Sequence, residues 1–86
     1  MRIPTPTVGD ILLDEFMLPL SLSVSAVSKE TGISAQTMKG ILEGEEKITP
    51  EISQRLSAYF GMSDSFFYRL QVKIDARNVE RELQYA

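Results

Sequence analysis

The stretch SVSAVSKETGISAQTMKGILEG, residues 23–44, decides the fold. Val24 and Val27 are apolar at helical spacing, and Ser23 in front of them is a good N-cap. Gly32 breaks the pattern, and Ser34 opens a second helix with Met38, Ile41 and Leu42 on one face. Two short amphipathic helices joined this tightly form the supersecondary unit of a helix-turn-helix. In that unit the first helix crosses the nucleic-acid backbone and the second lies in the major groove. A helical hairpin in any small bundle shows the same period, because periodicity alone says only that a segment is helical.

The outer face of the second helix separates the two readings. With Met38 at zero and about 100° per residue, Ile41 and Leu42 fall within about 60° of it. Gln36, Lys39, Gly40 and Glu43 point the opposite way, with Thr37 on the flank. Gln36 can make a bidentate contact to adenine, and Thr37 offers a hydroxyl and a methyl to base edges or phosphate. Gly40 leaves room for close approach to the duplex, and Lys39 can reach a phosphate. Ser34 can cap the helix and place its N–H groups near a phosphate oxygen. Ser34, Ala35, Gln36, Thr37, Lys39 and Gly40 are therefore the candidate DNA-binding residues. A plain solvated face more often carries Glu/Lys pairs spaced for ionic contact; this one is small and hydrogen-bonding at its N-terminal end.

The 86 residues make a single domain with one modest core, and 43% apolar with 24% charged residues is ordinary for a globular protein. There is no cysteine, so no disulfide framework or thiolate metal site, which fits a cytoplasmic protein. No apolar run approaches the roughly 20 residues of a membrane span, and no signal-peptide pattern opens the chain. Without histidine, a general base or metal site would need carboxylates alone, so neither catalysis nor a cofactor is expected. The net charge of −3 is unusual for a nucleic-acid-binding domain, which is ordinarily basic. Within Leu22–Thr49, Lys29, Lys39 and Lys47 stand against Glu30, Glu43, Glu45 and Glu46. Non-specific affinity for DNA is accordingly expected to be weak and strongly salt-sensitive. The acidic balance also suggests a second, basic partner.

Residues 1–6 hold two prolines and no period, and read as an extended arm. Thr7 followed by Asp10 resembles a capping box, ahead of an amphipathic helix carrying Ile11, Leu12, Glu15, Phe16 and Leu20 that stops around Pro19. Thr49-Pro50-Glu51 is the clearest helix start, with an N-cap, a proline at the first helical position and an acid in the first turn. Ile52, Leu56, Tyr59 and Phe60 form its expected buried stripe and Gly61 its stop. Ser63 is expected to cap a last helix over 63–86. Five helices and no convincing strand predict an all-α fold.

The last helix is apolar on two sides. Phe66, Phe67 and Ile74 cluster around Leu70, as core residues do, within about 60°. Val72, Ala76, Val79 and Leu83 lie opposite, at the spacing of an a/d seam. A small domain cannot cover both sides of its terminal helix. Beyond Ile74 the core-side stripe turns basic at Arg77 and Arg81, so the helix is expected to leave the globule there. Val72, Ala76, Val79 and Leu83 are the candidate dimer interface, since two-fold homodimers are the commonest oligomers and a helix-turn-helix dimer spans two half-sites.

The run ITPEISQRLSAYFGMSDSFFYRLQVKID, residues 48–75, closely resembles the second half of HigA-type antitoxins, small members of the Xre-type, lambda-repressor-like helix-turn-helix class. The family's I-T-P-E corresponds to Ile48-Thr49-Pro50-Glu51, and its R-L-x-x-x-F-G to Arg55-Leu56 with Phe60-Gly61. Its F-W-L-x-L-Q-x-x-Y-D corresponds to Phe66-Phe67-Tyr68-Arg69-Leu70-Gln71 through Asp75, with Phe67 in the tryptophan position. Upstream, Pro6-Thr7-Val8-Gly9-Asp10-Ile11-Leu12 resembles the family's P-G-E-I-L with residues inserted. Gly32-Ile33-Ser34 through Ile41-Leu42-Glu43-Gly44 follows its middle motif. Ser28 replaces the usual alanine of the turn helix, where its hydroxyl could bond back to the preceding turn. The acidic run Glu43–Glu46 stands near where related proteins carry a basic residue or two.

The resemblance covers about residues 6–77. It implies a protein that binds and neutralises a co-encoded RelE-like endoribonuclease toxin and represses its own operon by binding double-stranded operator DNA. A stand-alone Xre-type repressor with no toxin partner would carry the same DNA-reading residues, because a toxin-binding surface has no comparable motif. An enzyme is not expected: the serines and carboxylates fall at caps and on solvated faces.

Overall fold

The computed structural model describes residues 6–85, and among them there are five helices and no strand. The expected arm, residues 1–6, lies outside the described residues except for Pro6. Helix α1 spans Val8–Leu20. It begins at the anticipated capping box: Asp10 N–H donates to Thr7 Oγ1 at 3.1 Å and Thr7 N–H donates to Asp10 Oδ2 at 2.9 Å. From Leu12 to Met17 it is wound as a π-helix, and Leu18–Leu20 close it as a 3₁₀ turn around Pro19. The π turn resolves a register problem. Leu12 and Met17, five residues apart, are both fully buried, whereas α-helical winding would separate them by about 140°. The i→i+5 turn brings them onto one side. The same shift turns Leu20 out of the anticipated stripe, and it is 63% exposed.

Helices α2 (Val24–Thr31) and α3 (Ala35–Leu42) follow, then α4 (Pro50–Phe60) and α5 (Phe66–Tyr85). Thr49 caps α4 through Ile52 N–H with Pro50 in its first turn, and Gly61 ends it in the left-handed region. Leu56 is fully buried, but Tyr59 is not part of the buried stripe. Ser53 and Ser57 are buried on the side of α4 that receives α5, and their small side chains let the helix ends approach. Ser53 Oγ donates to Asp64 O at 2.7 Å and accepts from Tyr68 N–H at 3.0 Å. That hydroxyl satisfies one of the orphan donors at the start of α5. Because residues 63–65 are spent on this turn, α5 starts at Phe66, three residues later than the position of Ser63 suggests.

The core is a single cluster. Val8, Leu12, Met17, Val27, Met38, Ile41, Ile48, Leu56, Phe67 and Ile74 contribute from every helix and from the α3–α4 loop. Phe67 is its largest side chain. The Phe16 ring packs edge-on against it with centroids 5.1 Å apart, and Phe60 lies 5.3 Å from Phe16. Such tilted and edge-to-face pairs contribute about 0.5–1.5 kcal/mol beyond their area. Gly9 lets α1 lie directly on α3: a Cβ there would collide with the backbone of Ile41 and sit 2.8 Å from Leu42 Cα.

Candidate nucleic-acid interface

The two helices of residues 23–44 form where the sequence puts them. Ser23 Oγ accepts from Ala26 N–H at 3.1 Å, and Gly32, at φ 78°, ends α2 with its N–H on Ser28 O. The turn is then closed by side chains. Thr31 Oγ1 donates to Val27 O at 2.7 Å and accepts from Ile33 N–H at 3.2 Å. Ser28 Oγ donates forward across the turn to Ile33 O, not back into its own helix. From α4, Arg55 Nη1 donates to Thr31 O at 3.1 Å and fills the space beside Gly32, where a Cβ would lie 2.8 Å from it. Val27, Ile33, Met38 and Ile41 are buried beneath, so α3 is presented as a fixed element.

The outer face of α3 is open. Ser34, Ala35, Gln36 and Lys39 are exposed and Thr37 is half-buried. Ser34 Oγ accepts from Thr37 N–H at 3.1 Å and donates to Thr37 Oγ1 at 2.9 Å. The cap thus spends the Ser34 hydroxyl proton and leaves the Thr37 hydroxyl free to donate outward. Gly40 differs from the sequence reading. It points outward, but it is buried, because the side chain of Glu46 folds over it. The space at Gly40 is taken by this chain's own carboxylate.

That carboxylate comes from the loop after α3, which the hydrogen-bond pattern fixes at both ends. Glu45 N–H and Glu46 N–H both donate to Gly40 O, at 2.8 and 3.1 Å. At the other end Ile48 N–H donates to Gln71 Oε1 at 3.1 Å, and Lys47 pairs with Asp75 at 3.3 Å. Gln71 and Asp75 are bonded to each other at 3.0 Å, so α5 holds the loop through the two polar positions of the Q-x-x-x-D pattern. Between this loop and α3 lies an open concavity of about 410 Å³ lined by Gln36, Thr37, Lys39, Gly40, Glu43, Glu45 and Glu46. Sequence reasoning missed the roles of Arg55 and Glu46. Arg55 was visible only as part of a motif, and no local signal pairs a loop carboxylate with a glycine six residues before it.

On α5, Phe67 and Ile74 are buried and Phe66 and Leu70 pack against the core as expected. Val72, Val79 and Leu83 are 49%, 53% and 72% exposed, and Ala76 is exposed with them. No single helix among the described residues is long and apolar enough to cross a membrane.

A capped helix pair with a fixed, hydrogen-bonding second helix, set on a five-helix all-α body, defines a helix-turn-helix DNA-binding fold. Comparison with known proteins gives the family. The chain belongs to the HTH-type transcriptional regulators: it is 32% identical over 84 residues to an uncharacterised regulator of that type from Haemophilus influenzae, covering 98% of this chain and 78% of the relative. No protein-family model matches it. Among solved structures it is similar to the Pseudomonas aeruginosa antitoxin HigA with the higBA promoter, with TM-score 0.85 and 26% identity over 92% of this chain and 86% of that one. It is also similar to Pseudomonas aeruginosa PA4674 in complex with its operator DNA, with TM-score 0.83 and 27% identity over 91% and 84% of the two chains.

Proposed function

We propose that this protein is an antitoxin that represses its own operon through α3 and neutralises a RelE-like endoribonuclease. The observation that carries the DNA half is the exposed row Ser34, Ala35, Gln36 and Lys39 on a helix whose other side is locked into the core. Gln36 reads a base edge, while Lys39, the Thr37 hydroxyl and the N–H groups at the start of α3 hold phosphates. Binding to two half-sites is by a dimer joined through Val72, Ala76, Val79 and Leu83. The toxin half is supported by the resemblance of residues 48–75 to HigA-type antitoxins and by the likeness to the HigA structure. An acidic chain is also the natural counterpart of a basic ribonuclease.

A second reading, a stand-alone repressor in the cytoplasm with no toxin, is favoured by the Haemophilus influenzae relative, which is described only as a transcriptional regulator. Co-expression with the product of an adjacent short basic reading frame, followed by co-purification, a ribonuclease assay and operator titration, separates the two. A stable complex with suppressed ribonuclease activity supports the antitoxin. Operator binding with no such complex assigns the protein to the second reading.

A further inference from the structure

We infer that Glu46 is a base-reading residue: Gly40 admits its carboxylate onto the outer stripe of α3, where it accepts a hydrogen bond from a cytosine amino group in the major groove. This rests on α3 being the helix that enters the groove. Gln36 and Gly40 are four residues apart and so lie on one face, one above the other. A Cβ built on Gly40 would overlap the Glu46 carboxylate and lie 2.9 Å from its Cγ and 3.0 Å from its Cδ. The carboxylate therefore stands where a side chain at position 40 would project. In effect the loop supplies the missing side chain of the recognition helix.

The placement is not that of a loose surface glutamate. Gly44, at φ 80°, turns the chain back, and the amides of residues 45 and 46 both sit on the carbonyl of Gly40 itself. The loop is then tied to α5 through Ile48 and Gln71, so the backbone that carries Glu46 is anchored from both sides. Among the described residues no cation pairs with Glu46.

The ligand follows from the charge. An ionised carboxylate only accepts hydrogen bonds, and it is repelled by phosphate. On the groove floor, donors are the amino groups of cytosine and adenine. In adenine the amino group has the N7 acceptor beside it, which repels a carboxylate; in cytosine the neighbouring ring position carries only C–H. Cytosine is the base that fits.

Selection of binding sites from randomised duplexes, run on the parent chain, Gln36→Ala, Glu46→Ala and Glu46→Gln, tests the inference. The parent is expected to enrich a motif in which one cytosine per half-site loses about tenfold preference in Glu46→Ala, while the position lost in Gln36→Ala is a different one. Glu46→Gln, which adds a donor, is expected to move the preference at that position towards adenine. Gly40→Ala evicts the carboxylate and is expected to lose the same position. Glu46→Ala removes only an exposed side chain, so it decides the matter even where Gly40→Ala does not fold. A Gln36-dependent motif whose every position survives Glu46→Ala, with all duplexes merely bound more tightly, overturns the inference alone and leaves Glu46 as a repelling charge. A parent that enriches no motif, or one indifferent to Gln36, overturns the assignment of α3 and the inference with it.

Discussion

Arg55 of α4 donates to the carbonyl oxygen of Thr31 across 24 residues of sequence, at 3.1 Å. Thr31 closes α2, so this bond ties the turn of the helix-turn-helix to the helix behind it. The same guanidinium reaches Glu51 at 3.3 Å, but that pair is solvent-exposed and one turn apart on α4. Exposed pairs of this kind contribute about 0.3–0.5 kcal/mol. A charged donor on a backbone carbonyl contributes more, about 1.5–3 kcal/mol. Arg55→Ala should therefore destabilise the fold distinctly more than Glu51→Ala. Thermal melts of the two variants check it; equal shifts would mean that the ion pair, not the bond to Thr31, is what Arg55 supplies.

On DNA, Gln36→Ala should lose about 1–3 kcal/mol of discrimination between bases. Lys39→Ala should weaken binding to all sequences alike and reduce the salt slope by about 1. Operator titrations at two salt concentrations measure both. Variants that bind operator as the parent does would remove α3 from the groove.

The core makes its own test. Leu56 and Phe67 are fully buried at the junction of α4, α5 and α1. Leu56→Ala should cost about 2–5 kcal/mol and Phe67→Ala about 3–5 kcal/mol, a large part of what holds a small domain folded. Ser53→Ala is a sharper probe, because it removes no bulk. It leaves the Tyr68 amide without its partner and the Asp64 carbonyl with only the longer bond from Ser57 Oγ at 3.5 Å, at about 1–3 kcal/mol. Denaturant titration distinguishes these expectations. A Ser53→Ala variant as stable as the parent would mean that water replaces the hydroxyl.

The helix starts and stops were legible because they are local. Ser23, Ser34 and Thr49 each cap the helix they precede, and Gly32 and Gly61 end theirs in the left-handed region. What was not legible depends on contacts between distant segments or on a change of winding. The π turn at Leu12–Met17 puts Leu20 outside a stripe counted at 3.6 residues per turn. Tyr59 and Ser53 flank Leu56 almost symmetrically on α4, and only the position of α5 decides that the serine goes in and the tyrosine stays out. Gly40 was legible as a residue without a side chain on the outer face, but not that Glu46 would lie over it. The fold therefore followed from caps and periods, whereas the shape of the outer face of α3 needed the loop.

The stripe on α5 carries the last prediction. Val72, Val79 and Leu83 are exposed, and Ala76 lies in line with them, while the other side of the same helix is occupied by Phe67, Leu70 and Ile74. Ile74 is the last residue of α5 in the core cluster, and the stripe continues past it, with Val79 at the edge of an open cleft it shares with Thr7 and Val8. If two copies pair along it, Val79→Glu places two carboxylates near one another across the two-fold axis. An uncompensated buried charge costs several kcal/mol, more than a short apolar seam supplies. The variant should therefore be monomeric and still folded, with a melting temperature near the parent's, because Val79 contributes nothing to the core. Its operator affinity should fall steeply, since each monomer holds only one half-site. Sedimentation of Val79→Glu beside the parent gives the answer. A variant that stays dimeric would place the dimer contact elsewhere and leave this stripe as a candidate surface for the proposed toxin.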